Sequence, residues 1–446
     1  MPTASAPDPA GAPPERRRHF DPAATKTFSA LAIPNYRRYV AGQSISLVGT
    51  WMQRVAQTWL VLELTHSGTL VGALVAAQTL PILLLGPYGG VVADRVDKRR
   101  LMVALQSMMG VLALILGLLT VTHVVTVAEI FVLAGLLGLN TTFENPARQS
   151  FVLEMVGPRD LRNAVTLNSV LVNAARIVGP SVAGILIGTV GTGVCFLVNA
   201  ASFAAVVYSL VTMDAAQLQP STPTARAKGQ LREGIAYVRR TPALLVPLLM
   251  MAMIGCLSYE FTVTLPIVAK SVLHGGASTY GFMTSAMGLG AVAGGLVTAG
   301  RGKTGTRPMA VMAAVFAVFI GLAAVAPTVP LELVALLFVG AASISFMAIG
   351  NSTLQLQAAP QMRGRVMALY AVAFLGSTPI GGPVVGAVAE YAGGRWGLGL
   401  GAAAAGAAAC VGAVAVRHLA GADRVATPVP ETAATAEAEL ETAEAG

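Results

Sequence analysis

Five polar side chains fall on one helical face between residues 43 and 57. Gln43, Ser46, Thr50, Arg54 and Gln57 are spaced by 3, 4, 4 and 3 residues. The surrounding apolar run starts near residue 37, so at about 1.5 Å per residue Arg54 stands near the middle of a bilayer. Glu260 lies at a similar depth in another apolar run, 206 residues later. A charge at such a depth costs at least ~2.5–3.5 kcal/mol on insertion scales. Two of them at matched depth point either to a transport pathway or to a structural ion pair or interfacial charges. In the pathway reading, Glu260 exchanges protons as its distance to Arg54 and its access to water change. Asn140, Glu144 and Arg148 follow at four-residue spacing. Glu144 could take up protons or a cationic solute, or form a gate salt bridge with Arg148. Arg176, one turn before Gly179-Pro180, either pairs with a polar group of the first or eighth span or touches the solute. Glu63, Glu129, Glu332 and Glu390 are expected to be solvated at the outer surface.

These residues must be held by helices that cross a membrane. The chain of 446 residues is 55% hydrophobic and 11% charged, with a mean hydropathy of +0.69; soluble domains carry about 25% charged residues. Twelve apolar spans are expected, at about 37–62, 68–93, 101–121, 126–146, 163–188 and 193–212, then 243–269, 278–299, 308–326, 331–352, 366–390 and 396–417. Continuous apolar runs require helices, and the alternation of a barrel strand is missing. The spans form two units, 34–212 and 243–418. A disordered tail over 1–33, a linker over 213–242 and a disordered acidic tail over 419–446 complete the chain. Of 29 Lys and Arg, 25 fall in the tails or in alternate loops. That asymmetry places both termini and the linker in the cytoplasm, and it accounts for the pI near 9.7 without nucleic acid. Cys195, Cys256 and Cys410 lack pairing or metal-ligand spacing and read as small buried apolar residues. No cofactor, metal or enzyme constellation is expected. Gly302-Lys303-Thr304 is not a phosphate loop, because position 297 is valine.

The second and third spans are joined by Gly89-Gly90-Val91-Val92-Ala93-Asp94-Arg95-Val96-Asp97-Lys98-Arg99-Arg100, a tight basic loop. Shifted by 205, Gly89-Gly90 meets Gly294-Gly295. Shifted by 203, Gly179-Pro180 meets Gly382-Pro383 and Arg162 meets Arg365. Such offsets point to a duplicated six-helix unit. Within the linker, Leu231, Ile235 and Val238 lie one turn apart among arginines and predict an amphipathic helix on the inner leaflet. Gly179, Gly184 and Gly188 suit close helix packing, and Pro180 removes a backbone donor.

Together these features resemble the major facilitator superfamily. Gly90, Asp94, Arg95, Arg99 and Arg100 match its hallmark between helices 2 and 3, with Asp97 where the family often has glycine. Arg176 to Gly184 looks like the glycine-proline motif of its antiporter branches. Asn145-Pro146-Ala147-Arg148-Gln149-Ser150-Phe151, Asn163-Ala164-Val165 and Leu231-Arg-Glu-Gly look like the branch of bacterial siderophore exporters and macrolide efflux proteins. The resemblance implies an all-α integral membrane protein of two pseudo-symmetric six-helix bundles, rocking about a central cavity. Asp94 and its arginines would gate by pairing across the bundle interface. The expected protein is a monomeric, proton-driven exporter of the bacterial inner membrane, with a siderophore, macrolide or drug-like cargo. An importer of the same fold and a membrane sensor or scaffold are the alternatives.

Overall fold

The computed structural model describes residues 28–219, 230–374 and 376–425, and every regular element among them is helical. The first half holds α1 (Pro34–Thr65), α2 (Gly68–Arg95), α3 (Lys98–Val121), α4 (Val127–Val190) and α5 (Thr192–Val211). After α6 (Gln230–Arg240), the second half holds α7 (Pro242–Met253), α8 (Phe261–Ile267), α9 (Ala277–Arg301), α10 (Thr306–Val325), α11 (Val329–Gln357), α12 (Arg363–Phe374), α13 (Thr378–Tyr391) and α14 (Gly394–Val425). Among the described residues, ten stretches are long and apolar enough to cross a membrane. α1 is not one of them, since its polar stripe and arginines lower its hydropathy. One of the ten is the 64-residue α4.

In α4 the expected fourth and fifth spans run together. Residues 147–162, expected as a loop, are helical. Ala147, Phe151, Val152, Met155 and Val156 repeat at helical spacing and bury in a cluster with Tyr36, Tyr39 and Met102. The chain turns at Gly157, whose φ of 69° and ψ of 173° suit only glycine. Pro158 then opens the next helix with its φ already fixed.

The expected seventh span, 243–269, is not continuous. The Tyr259 N–H donates to Ile254 O, five residues back, at 3.0 Å. This wide turn leaves Glu260 outside the helices at φ −86° and ψ 38°. Glycines make room for it: a Cβ at Gly255 would stand 2.6 Å from Phe374 O, and one at Gly381 would strike Cys256 O. The eleventh span is likewise two helices, α12 and α13.

Other expectations need correction at the edges. Residues 28–33 pack instead of belonging to a free tail: Ser29 Oγ donates to Asp160 Oδ1 at 2.7 Å, and the Ala30 N–H to Asn163 Oδ1 at 3.1 Å. The start of the linker is tied to α1, with Asn35 Nδ2 donating to Asp214 O at 2.8 Å. α6 docks on protein, through Arg365 to Glu233 at 2.6 Å and through Val238 against Leu244, Leu354 and Val366; Ile235 is exposed, and the Leu231 side chain lies outside the described residues. α14 runs to Val425 rather than ending near 418. Of the cysteines only Cys195 is buried; Cys256 is half-buried and Cys410 exposed.

The duplication is visible in the packing. Gly89 of α2 lies against Thr142 O of α4, and Gly294 of α9 against Ala341 O of α11. The two Gly-Pro motifs both face the opposite half. A Cβ on Gly281 of α9 would strike Pro180 O of α4, and one on Gly382 of α13 would stand 2.9 Å from Gly72 O of α2. Cross-half contacts gather at the end away from the basic loops. There Gly68 meets Gly386, and Gly184 meets Ala277 and Ser278. Ser67 Oγ and the Thr69 N–H donate to Glu390 Oε2 at 2.7 and 2.8 Å, and Lys270 Nζ to Leu62 O at 3.4 Å. Toward the basic loops, the described contacts reach Leu83 with Gly376 and Arg176 with Gly288.

Candidate functional site

Arg54 stands about two thirds of the way along α1. Its side chain is exposed, although Val55, Ala56, Gln57, Thr58 and Trp59 immediately beyond it are buried. Trp59 stacks on Tyr280 of α9, ring centroids 6.3 Å apart, and so joins the halves. Arg54 therefore borders the space between the halves, on the basic-loop side of their contact. Its Cζ lies 4.6 Å from the centroid of Trp51, and the Cζ of Arg176, from α4, lies 5.2 Å from the same ring. One indole thus serves two guanidinium groups.

Gly179 makes that arrangement possible. A Cβ there would stand 2.6 Å from Trp51 Cβ and 2.8 Å from Val48 O, so only glycine lets α4 lie this close to α1. Arg176 is one turn away and reaches the indole. On its other side, a Cβ at Gly288 of α9 would be 3.2 Å from Arg176 O. Among the described residues neither guanidinium has a carboxylate within 4.0 Å or a hydrogen bond, and the buried Arg176 Nε has no partner. The structural ion pair between Arg54 and Glu260, one of the alternatives, does not form. Glu260 is 3% exposed beside Thr378 and Cys256, with Oε1 unpartnered. An aromatic wall flanks it: Tyr259 meets Phe374 at 5.0 Å and Phe261 at 6.1 Å, and Tyr370 stacks on Phe374.

The rest of the α1 stripe divides by depth. Thr50 is exposed with Arg54, whereas Gln43, Ser46 and Gln57 are buried. Gln57 accepts from Gln78 Nε2 at 3.1 Å, and Gln43 Oε1 has no partner. A second polar contact escaped the sequence reading. Gln53 accepts from Asn199 Nδ2 at 2.5 Å, and Ser202 Oγ donates to Asn199 Oδ1 at 2.9 Å. Asn140 Nδ2 donates to Leu105 O at 2.8 Å. Glu144 is held by Arg148 Nε at 3.0 Å and Gln106 Nε2 at 3.2 Å, the salt-bridge alternative for that residue.

A family model described as transmembrane secretion effector matches residues 25–441. The chain belongs to that family. That family is a branch of the major facilitator superfamily. It is 30% identical to the uncharacterized MFS-type transporter YfiS of Bacillus subtilis over 47% of this chain and 50% of that protein. It is 24% identical to the staphyloferrin A transporter of Staphylococcus aureus over 58% and 65% of the respective chains. With the multidrug efflux pump Tap of Mycolicibacterium fortuitum it shares 26% identity over 77% and 87%. The matched stretches therefore span half to two thirds of the first two relatives. A solved bacterial homolog of the human lysosomal transporter Spinster shares the fold at a TM-score of 0.70 and 12% identity, covering 86% of this chain and 97% of that one. The nucleoside transporter NupG does so at 0.69 and 14%, over 85% and 98%.

In this member of the family the loop motif is bonded within its own half. Arg99 donates to Leu210 O at 2.8 Å and Val211 O at 2.6 Å, and Lys98 Nζ pairs with Glu154 Oε1 at 2.7 Å. The cross-bundle pairing expected of these arginines is thus not made by Arg99. Arg95 and Arg100 are exposed, while the surroundings of Gly90 and the side chain of Asp94 lie outside what the structure describes. Asp97, at the position where the family often has glycine, caps α3 by accepting from the Arg100 N–H at 2.7 Å. The outer carboxylates are not simply solvated. Glu63 accepts from Trp59 Nε1 at 2.6 Å, and Glu129 forms a capping box with Thr126. Glu390 bridges the halves, and Glu332 is 0% exposed with neither oxygen bonded. Gly184 packs tightly as expected, but Gly188 has nothing within 4 Å.

Proposed function

We propose that this transporter exports a small, partly apolar molecule by alternating access, using inward proton flow. The observation that carries this reading is Arg54, a charge exposed inside the molecule between two halves that touch at one end. We count α4 as two spans and include α1, which reads as twelve crossings in two six-helix bundles, 34–212 and 243–418. The basic loops lie on the cytoplasmic side of a bacterial inner membrane, with both termini, so this state opens inward. The name of one relative, the multidrug efflux pump Tap, supports export. The protein works as a monomer.

Coupling is assigned to Glu260. It sits at a helix break with one oxygen unpartnered, next to Tyr259 and Phe261 of the aromatic cluster. A carboxyl in such a place can change its protonation as the halves rock and water gains or loses access. The test is efflux of siderophores and macrolides from proteoliposomes under an imposed pH gradient. Glu260→Gln should abolish gradient-driven movement and leave cargo exchange largely intact. If it keeps full gradient-driven efflux while Glu144→Gln loses it, coupling moves to α4. If both keep it, coupling through these carboxylates is wrong.

A further inference from the structure

Two guanidinium groups in the middle of a membrane protein, with no acid beside them, need an explanation. Holding a cation at membrane depth without an acid beside it is costly, and such charges face water, protein groups or a ligand. Arg54 and Arg176 both stand over Trp51, at 4.6 and 5.2 Å. Among the described residues no carboxylate lies within 4.0 Å of either, and Arg176 Nε is shielded from solvent with its hydrogen unused. Glu260, the carboxyl of the alternative ion pair with Arg54, is turned toward Thr378 and Cys256 instead. Arg54 itself is open to the space between the halves.

We propose that Arg54, Arg176 and Trp51 form the binding site for an anionic oxygen group of the cargo, a carboxylate or phosphate carried on an apolar body. The proposal rests on the export reading and sharpens its substrate class. Guanidinium donors suit planar oxyanions because two parallel N–H groups meet two oxygens. The indole holds both arginines in place and offers a flat apolar surface to the adjoining part of the cargo. Tyr259 and Tyr370, half-buried over the buried rings of Phe261 and Phe374, give the apolar body a place to lie. Gly179 and Gly288 belong to the site as spacers, since each admits the backbone approach that sets Arg176 where it is.

The test uses the full chain in phosphatidylcholine nanodiscs and a matched pair of probes, 2-naphthoate and its neutral isostere 2-naphthamide. Trp396→Phe leaves Trp51 and Trp59 as fluorescence reporters. The charge-assisted hydrogen bonds of such a site should favour naphthoate by about tenfold or more. Arg54→Gln and Arg176→Gln should each shrink that preference, and the double variant should remove it while naphthamide binding stays. Arg54→Lys, which keeps the charge, should retain part of it and shows that the loss is not misfolding. Equal binding of the two probes, or no binding of either, overturns the proposal. So does loss of naphthoate binding when phosphatidylglycerol replaces phosphatidylcholine, because the anion held would then be a lipid headgroup. Transport of the same probes separates this inference from the export reading. Naphthoate that binds through the arginines but is never moved refutes transport of this class and leaves the site standing. Naphthamide moved as well as naphthoate leaves transport standing and removes the anion site.

Discussion

Asp97 shows how a single side chain replaces what a family usually does with backbone freedom. Where a glycine would relax the turn between α2 and α3, the carboxylate caps the first turn of α3 through the Arg100 N–H. Asp97→Ala should therefore cost about 0.5–2 kcal/mol of stability, and Asp97→Asn much less, because asparagine caps nearly as well. Thermal unfolding of the purified variants in one detergent measures the difference; equal losses would mean that the cap is not what matters there. At this scale the sequence was legible for charges and less so for their partners. Arg54, Arg176 and Glu260 stand out in apolar runs because ionised groups are rare there. Trp51 does not stand out, since an aromatic residue in a span is ordinary, although its position three residues before Arg54 puts the two on one helical face. Equal depth left an Arg54–Glu260 pair open as an alternative, but depth fixes only one coordinate. The break at Glu260 turned the side chain elsewhere.

Helices in lipid gain little from burying apolar groups against one another, so their positions depend on how closely backbones approach. That makes the glycines of α4 informative. Gly179→Val would drive a side chain into Trp51 Cβ and Val48 O, forcing α4 from α1 and carrying Arg176 from the indole. The expected result is a loss of about 1–3 kcal/mol, as for overpacking elsewhere. Trp51 emission should change at the same time. Gly188→Val, on the same helix with nothing within 4 Å, should leave both unchanged. A matching effect from the two variants would show that glycine matters for helix insertion and not for this contact. The sequence revealed such motifs because duplication left them at a constant offset. It hid the course of α4, because an amphipathic stretch between spans resembles a loop in hydropathy while remaining a good helix. It also hid the break in the seventh span, which packs against Gly381 of α13, far away in the chain.

At the scale of the whole molecule, alternating access requires the closed end to part. That end is held by three kinds of contact with different consequences. The glycine crossings, Gly68 with Gly386 and Gly72 with Gly382, bring backbones together and set the distance of closure. The Trp59–Tyr280 stack seals the space just beyond Arg54. Glu390 adds a charged latch, accepting from Ser67 Oγ and from the Thr69 N–H at the start of α2. The latch should tune the equilibrium, since it is exposed and screened by solvent. The crossings should decide whether closure is possible at all. Thr58, 2% exposed beside Tyr280, reports on the seal. In a cysteine-free background, Thr58→Cys should react slowly with an impermeant maleimide added from the side away from the basic loops. Glu390→Gln preserves shape and weakens the latch, so labelling should quicken severalfold. Gly72→Val would strike Gly382 O, preventing closure, so labelling should quicken further and transport should fail. A quickened rate in Gly72→Val alone would mean that the crossings suffice and the latch contributes nothing. An unchanged rate in both would mean that this end does not open, and alternating access through it would be wrong.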